Sequence, residues 1–208
     1  AKLLAQKGMN VTVYDKKSPE ELGEPARELA AMGVKFITGE DYLQRLRGDV
    51  IFRTPGVLPI VPQLRKAAQN GAILTSEMEA FCNLCPCRIL AITGSDGKTT
   101  TSTITAELLR AQGYTVHLGG NIGTPLLPVA DQMEPDDIAV VELSSFQLMT
   151  MQKSPHIAVT TNLAPNHLDV HKDYQEYIDA KANIFTHQTA QDIAVFNADN
   201  DETLALSA

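Results

Sequence analysis

The stretch Arg88–Thr101 reads RILAITGSDGKTTT, and the rest of the chain is read from it. Arg88–Thr93 has the length and apolar, β-branched content of a buried strand. A turn follows through Gly94, Ser95, Asp96 and Gly97, and Lys98–Ala111, rich in Thr, Ile and Leu, reads as a helix. Strand, glycine turn and helix in that order make a cradle for an anion. The glycines let backbone N–H groups turn inward, the helix start adds partial positive charge, Lys98 reaches terminal phosphates, and Thr99 can hold Mg²⁺. The full Walker pattern has four residues between its first glycine and the Gly-Lys pair. Here that earlier position is Ile92, so the match is to a shorter GxxGK[ST] form. Gly94 to Thr100 are therefore the candidate nucleotide-binding residues. The competing reading, a glycine turn with a chance lysine, fits poorly between a strand and a helix.

On either side, strand-like and helical stretches alternate. Val11–Asp15, Val34–Thr38, Asp49–Arg53 and Ala72–Thr75 read as strands, with helices over Glu20–Met32 and Pro62–Asn70. Beyond the cradle come strands at Tyr114–Leu118, Asp137–Glu142, His156–Thr161 and Ile193–Asn197, and a helix over Tyr174–Phe185. Such alternation implies α/β architecture with mostly parallel sheets. The phosphate signature arrives only after the pattern restarts, so two domains are expected. Residues 1–76 read as an incomplete Rossmann-like domain and 77–208 as a P-loop ATPase-type domain. In a Rossmann domain the first strand lies mid-sheet and its turn is glycine-rich; neither is in this sequence. AKLLAQKG at the start reads as the last turns of a helix with Gly8 as its cap, and NADNDETLALSA stops as another helix begins. A fragment of a longer protein is the expectation.

Further stretches lie at or just beyond strand ends, where open α/β sheets put ligands. GGNIGTP (119–125) offers backbone amides and Asn121, or is a plain turn. AVVELSSFQL (139–148) places Glu142 at a strand end, suited to a second Mg²⁺ carboxylate, followed by Ser144, Ser145 and Gln147, which equally suit a helix cap. TNLAPNHLDVH (161–171) holds Asn166, His167, Asp169 and His171. The H-x-x-x-H spacing admits zinc, but no third ligand is fixed, and His167 is favoured as a metal or phosphate contact, with His171 an exposed loop residue. DYQEYIDAKANIF (173–185) puts Tyr174, Tyr177 and Ile178 on one helix face; by spacing alone, Lys181 one turn later reads as a solvated surface lysine. Asp15 ends the first strand, where Rossmann domains hold a ribose, or merely starts a turn before Lys16 and Lys17. RTPGV (53–57) is a turn whose Pro55-Gly56 region could lend amides to a phosphate.

Composition excludes several classes. Of 208 residues, 44% are hydrophobic and 20% charged, as in an ordinary globular protein rather than a disordered chain. No apolar run approaches the roughly 18 residues that span a bilayer. The net charge is −8, unevenly spread: residues 1–76 hold 11 basic and 8 acidic side chains, residues 77–208 hold 6 and 17. An acidic second half does not suit a phosphate backbone, so nucleic acid is not expected as a partner, and neither is a membrane. Cys82, Cys85 and Cys87 are too few for a tetrahedral zinc site and odd in number; free thiols in a reducing cytoplasm are expected.

The ordered set TGSDGKTTT, GGNIGTP, ELSSFQL, TNLAPNHLDVH and YIDAKANIF resembles the Mur ligases, ATP-dependent amide-forming enzymes that build the peptide of the bacterial cell wall. The resemblance covers essentially the whole chain, most tightly Ala91–Phe185, and ELSSFQL looks like the branch that adds D-glutamate. It implies ATP and two Mg²⁺ ions, with Lys98 and Thr99 on phosphates and metal, Glu142 on Mg²⁺, and His167 on the second ion. It also implies that Lys181 becomes a carbamate that helps hold that ion, against its bland reading. Asn121, Ser144 and Gln147 would contact UDP-N-acetylmuramoyl-L-alanine, and Asp15, Lys16, Lys17, Pro55 and Gly56 would grip its uridine diphosphate. D-Glutamate would bind a third domain absent from this sequence, so the fragment alone is expected to be inactive. A monomer is expected. The sequence departs from the family pattern at Asp96, where Asn is commoner, at Asn166, where an acid often precedes the histidine, and at Arg53. Another amide ligase of the same fold, including a folylpolyglutamate type, or a non-ligating nucleotide-binding module are the rival readings.

Overall fold

A computed structural model describes residues 1–166 and 170–207. The chain forms two compact units, Ala1–Ile51 with Pro59–Leu74, and Phe52–Leu58 with Thr75–Ala208.

In the first unit, α1 (Lys2–Gln6) gives way to Gly8 at φ 77°, the glycine stop that its sequence suggests. Strand β1 (Thr12–Asp15) pairs in parallel with β2 (Lys35–Thr38). The expected single helix over Glu20–Met32 is instead two, α2 (Pro19–Leu22) and α3 (Glu24–Ala31), because Gly23 between them takes φ 72°. Ser18 and Glu21 close a capping box that starts the chain's turn into α2 three residues after β1 ends. Strand β3 (Val50–Phe52), helix α4 (Pro62–Gln69) and β4 (Ile73–Thr75) follow, with β3 beside β4 in a second two-stranded sheet. Ala26, Val34, Leu46, Ile51 and Leu64 are the buried apolar residues of this unit. Among the described residues this unit therefore holds two separate two-stranded sheets, β1-β2 and β3-β4, rather than one.

The second unit opens with α5 (Glu77–Leu84), which the sequence reading did not anticipate; Ser76 caps it by accepting from Glu79 N. Strand β5 (Arg88–Thr93) then runs into the glycine turn and α6 (Lys98–Ala111). Strand β6 (Val116–Gly120) begins later than expected, since Tyr114 N is still bonded to Leu109 O across the helix end. It is followed by β7 (Ile138–Glu142), α7 (Ser145–Leu148), β8 (Ile157–Thr160), α8 (Tyr174–Thr186), β9 (Ile193–Phe196) and α9 (Asp201–Ala205). The five strands form one sheet ordered β6-β7-β5-β8-β9, and every pairing in it is parallel. Alternation along the strands builds two cores. Ile89, Ala91, Ala139, Val141 and Ala158 pack with Phe81 of α5 and Ile184 of α8, while Ile92 and Val140 pack with Ala106 of α6. Helices thus cover both faces, and the carboxyl ends of adjacent strands share one edge. Among the described residues no helix is long and apolar enough to cross a membrane.

Candidate active site at the carboxyl edge of the parallel sheet

Gly94 leaves β5 at φ 151°, and a Cβ built there would lie 1.9 Å from Thr161 Oγ1, so the position requires glycine. Gly97, in the left-handed region at φ 76°, caps α6. Between them the loop is held by the segment after β8. Ser95 N donates to Asn162 O (2.9 Å), Asp96 N to Asn162 Oδ1 (2.9 Å), and Thr161 Oγ1 to Asp96 O (2.7 Å). The amides of Ser95 and Asp96 are therefore engaged by protein. The donors suited to a phosphate are the first-turn amides of α6, Lys98–Thr100, which have no intrahelical acceptor. Lys98 Nζ folds over the loop onto Gly94 O and Ser95 O, both at 3.0 Å.

Glu142 ends β7 and is 1% exposed. Its Oε2 accepts from Thr99 Oγ1 at 2.7 Å and its Oε1 from Asn121 Nδ2 at 2.9 Å. Gly120 permits this close approach of β6 to β7: a Cβ there would sit 2.3 Å from Glu142 O. Thr99 and Glu142 offer a hydroxyl and a carboxylate, a hard-oxygen donor set that fits Mg²⁺ completed by phosphate and water oxygens.

Lys181 is buried, 2% exposed, which overturns its reading as a surface lysine. Tyr177, Ala180, Lys181 and Ile184 form the buried stripe of α8 at helical spacing, so the same periodicity that suggested solvent turns Lys181 inward. Its Nζ donates to Gly94 O (2.8 Å) and Thr93 Oγ1 (3.2 Å) and lies 4.8 Å from the Tyr177 ring centre. Burial first, then repulsion from Lys98, lowers its pKa to about 7, with Glu142 pulling the other way. Tyr177 OH is 2.9 Å from Ser95 Oγ, and Ser95 Oγ also bridges to the Ala164 backbone. The sequence does not single out Thr93, Thr161 and Asn162, and reads Tyr177 only as part of a helix face. Thr161 and Asn162 stood at the start of a quoted motif, but nothing local marks a threonine or an asparagine as a brace for a loop some 65 residues away.

Ser144 and Gln147 meet each other in a capping box at α7, the helix-cap alternative of the sequence reading. His171, expected on an exposed loop, is instead 2% exposed: its Nε2 is 2.9 Å from Ser145 Oγ, and its ring packs on Phe146 and Tyr177. His167 lies outside the described residues, as does Asp169. Arg53, unexpected before the Pro55-Gly56 turn, has a structural reason: it is buried and donates to Val57 O, Phe146 O and Thr150 Oγ1, tying that turn to α7. Pro55 and Gly56 themselves are exposed. In the first unit Asp15 Oδ1 accepts from Lys17 N at 2.8 Å, as a turn-starting aspartate does, and Lys16 pairs with Glu40 on the surface. All three cysteines are free, Cys82 and Cys87 buried with thiols pushed up to about 12 mainly by desolvation.

Residues 92–208, more than half the chain and all of this edge, match the Mur ligase middle domain. The chain belongs to the Mur ligase family. A UDP-N-acetylmuramoylalanine–D-glutamate ligase of Ruminiclostridium cellulolyticum is 53% identical over 203 residues, 97% of this chain and 44% of that protein. One of Clostridium kluyveri with the same name is 51% identical over 205 residues, 98% of this chain and 45% of the relative. This Mur ligase chain thus spans less than half the length of those curated relatives. Among solved structures, the UDP-N-acetylmuramate:L-alanyl-γ-D-glutamyl-meso-diaminopimelate ligase of Neisseria meningitides superposes with a TM-score of 0.60 at 19% identity, over 99% of this chain and 69% of that one, which establishes the shared α/β fold.

Proposed function

We propose that this Mur ligase chain carries the UDP-substrate and ATP units of an enzyme that joins D-glutamate to UDP-N-acetylmuramoyl-L-alanine for peptidoglycan synthesis. Residues 1–76 would hold the UDP-sugar and 77–208 the ATP, with D-glutamate bound by a third domain. The observation that carries the reading is the convergence of Lys98, the Thr99–Glu142 pair and buried Lys181 on one glycine loop, in a chain half identical to ligases of that name.

The reaction has to bring a carboxylate to a triphosphate, two anions that repel. The L-alanine carboxylate attacks the γ-phosphorus of ATP, giving an acyl phosphate and ADP. The D-glutamate amine then attacks the acyl carbon, phosphate leaves and the amine loses a proton. Lys98 and the first-turn amides of α6 hold the triphosphate and draw charge from it, which lowers the barrier mainly by positioning and electrostatics. Mg²⁺ ions, when bound, supply the remaining charge neutralisation; Thr99 and Glu142 would hold one, and His167 with carbamylated Lys181 the second. Lys181, with a pKa near 7, has a neutral amine available at physiological pH, which reaction with CO₂ requires. Asn121, Ser144 and Gln147 would meet the UDP-sugar from the next strand ends, and Asp15–Lys17 with Pro55 and Gly56 its diphosphate. The enzyme would work as a cytoplasmic monomer.

The test places residues 1–208 in the Ruminiclostridium cellulolyticum relative in place of the matching segment. With ¹⁸O in the L-alanine carboxylate of the UDP-sugar, one label is expected in the released phosphate. Unlabelled phosphate would overturn the acyl-phosphate reading.

A further inference from the structure

The segment 161–164 is the brace of the glycine loop, and it is itself braced from the far side. Between β9 and α9 the chain reads Asn197-Ala-Asp-Asn200, and both asparagine side-chain amides reach back to the segment. Asn197 Nδ2 donates to Thr161 O at 2.9 Å. Asn200 forms a two-way pair with Leu163: its Oδ1 accepts from Leu163 N at 3.0 Å and its Nδ2 donates to Leu163 O at 3.2 Å. Fully buried Thr203 joins the two, its hydroxyl 2.6 Å from Asn197 O and 2.9 Å from Asn200 O. On its other side the segment meets the loop at Asp96, Ser95 and Thr93, through Thr161, Asn162 and Ala164. Residues 161–164 are thus a single backbone layer hydrogen-bonded on both sides, with no room for even a methyl group between Thr161 and Gly94.

We propose that Asn197 and Asn200 are positioning residues for the phosphate cradle, acting as a latch that fixes 161–164 and through it the shape of the Gly94–Gly97 loop. The nucleotide part of this proposal rests on the function proposed above. Among the described residues neither asparagine is hydrogen-bonded to the loop, so each acts through the brace. The bonds to the brace differ from those that shape the local chain. Asn197 Oδ1 accepts from Asp199 N in a tight turn, and Asn200 Oδ1 accepts from Thr203 N as the cap of α9. A serine keeps a turn or cap acceptor without charge but is too short to reach Thr161 or Leu163.

The test compares the wild-type chain with Asn197→Ser, Asn200→Ser and the double variant. Asn183→Ser serves as control, because it removes one side-chain bond, to Leu148 O, from outside the latch. Two readouts are taken: affinity for a fluorescent ATP analogue with Mg²⁺, and hydrogen exchange of the Ser95 and Asp96 amides without nucleotide. The double variant is expected to bind nucleotide at least about tenfold more weakly, a loss of two or three ordinary hydrogen bonds' worth. Exchange at Ser95 and Asp96 should quicken, with Asn183→Ser changing neither readout. Wild-type affinity and exchange in the double variant would overturn the latch. A wild-type chain that fails to bind nucleotide would defeat the function reading instead, and exchange would still decide the latch. Should the double variant unfold, Asn197→Ser alone, which caps no helix, decides by the same exchange measurement.

Discussion

Thr99 Oγ1 lies 2.7 Å from Glu142 Oε2, a hydrogen bond between the first turn of one helix and the end of a neighbouring strand, 43 residues apart. Two oxygen donors of different origin are thereby held at the point where the phosphate loop opens. The second carboxylate oxygen is fixed by Asn121, so the acid has one orientation to offer. Replacing Glu142 with Gln keeps the shape and removes the charge. The Mg²⁺ concentration needed for half-maximal nucleotide binding is expected to rise by about tenfold or more, as metal sites respond to loss of a key partner. A titration of nucleotide affinity against Mg²⁺ checks this.

Lys98 makes its present bonds to the carbonyls of Gly94 and Ser95, and a triphosphate would take it from them. With residues 1–208 carried in the full-length relative, as proposed above, Lys98→Ala is expected to lower turnover roughly 10²–10³-fold, the scale of losing one charge-stabilising donor. Affinity for the UDP-sugar should stay near normal, since that ligand is assigned to other residues. Steady-state kinetics beside equilibrium binding of the sugar separates the two.

Gly94 faces Thr161 with no space for a side chain. Gly94→Ala should destabilise the chain by about 1–3 kcal/mol through overpacking. Thr161→Ala removes the atom that the new methyl group would strike, so part of the cost should return when both changes are made. Urea unfolding of the two single variants and the pair, taken as a double-mutant cycle, measures that coupling. Simple additivity would mean that the loop moves away from Thr161 at no cost.

The sequence carried the glycine cradle, the strands at the edge and Glu142 plainly, because these depend on local periodicity and on glycines with a fixed place between strand and helix. Helix α5 is hard to read because its eight residues are short, carry Cys82 of the cysteine cluster, and fall where the strand-helix pattern restarts. The break at Gly23 was illegible because a glycine inside a helical pattern is tolerated as often as it interrupts. By spacing alone Lys181 reads as a surface lysine, and only the family resemblance places it in the site; His171 reads as an exposed loop residue. Tyr177 covers both from within the same stretch of chain, but Phe146 beside His171 and the end of β5 beside Lys181 are brought there by tertiary packing across 25 and 88 residues. The braces at Asn162, Asn197 and Asn200 belong to the same class: their partners are 37 or more residues away in every case but one, Thr161 at 36.

Lys181 also sets a pH dependence. Its folded-state pKa, about 7, lies below the ordinary 10.5, so between those values the unfolded chain holds a proton that the folded chain has shed. Stability from this group therefore rises with pH from about 7 upward and is flat below it. The buried thiols of Cys82 and Cys87 work in the opposite sense above pH 9, because their pKa values are raised. Urea unfolding in EDTA between pH 7 and 8.5 isolates the lysine. The wild-type chain should gain stability across that window relative to Lys181→Met, and parallel curves would place the ammonium in water.

The most direct measurement is phosphate release from ATP with UDP-N-acetylmuramoyl-L-alanine, scanning amino acids, by residues 1–208 carried within the full-length relative. Release that depends on D-glutamate, and that falls roughly 10²–10³-fold with Lys98→Ala, is the predicted result. Release driven instead by L-lysine or diaminopimelate, or the same slow release whatever amino acid is present, would contradict the assignment.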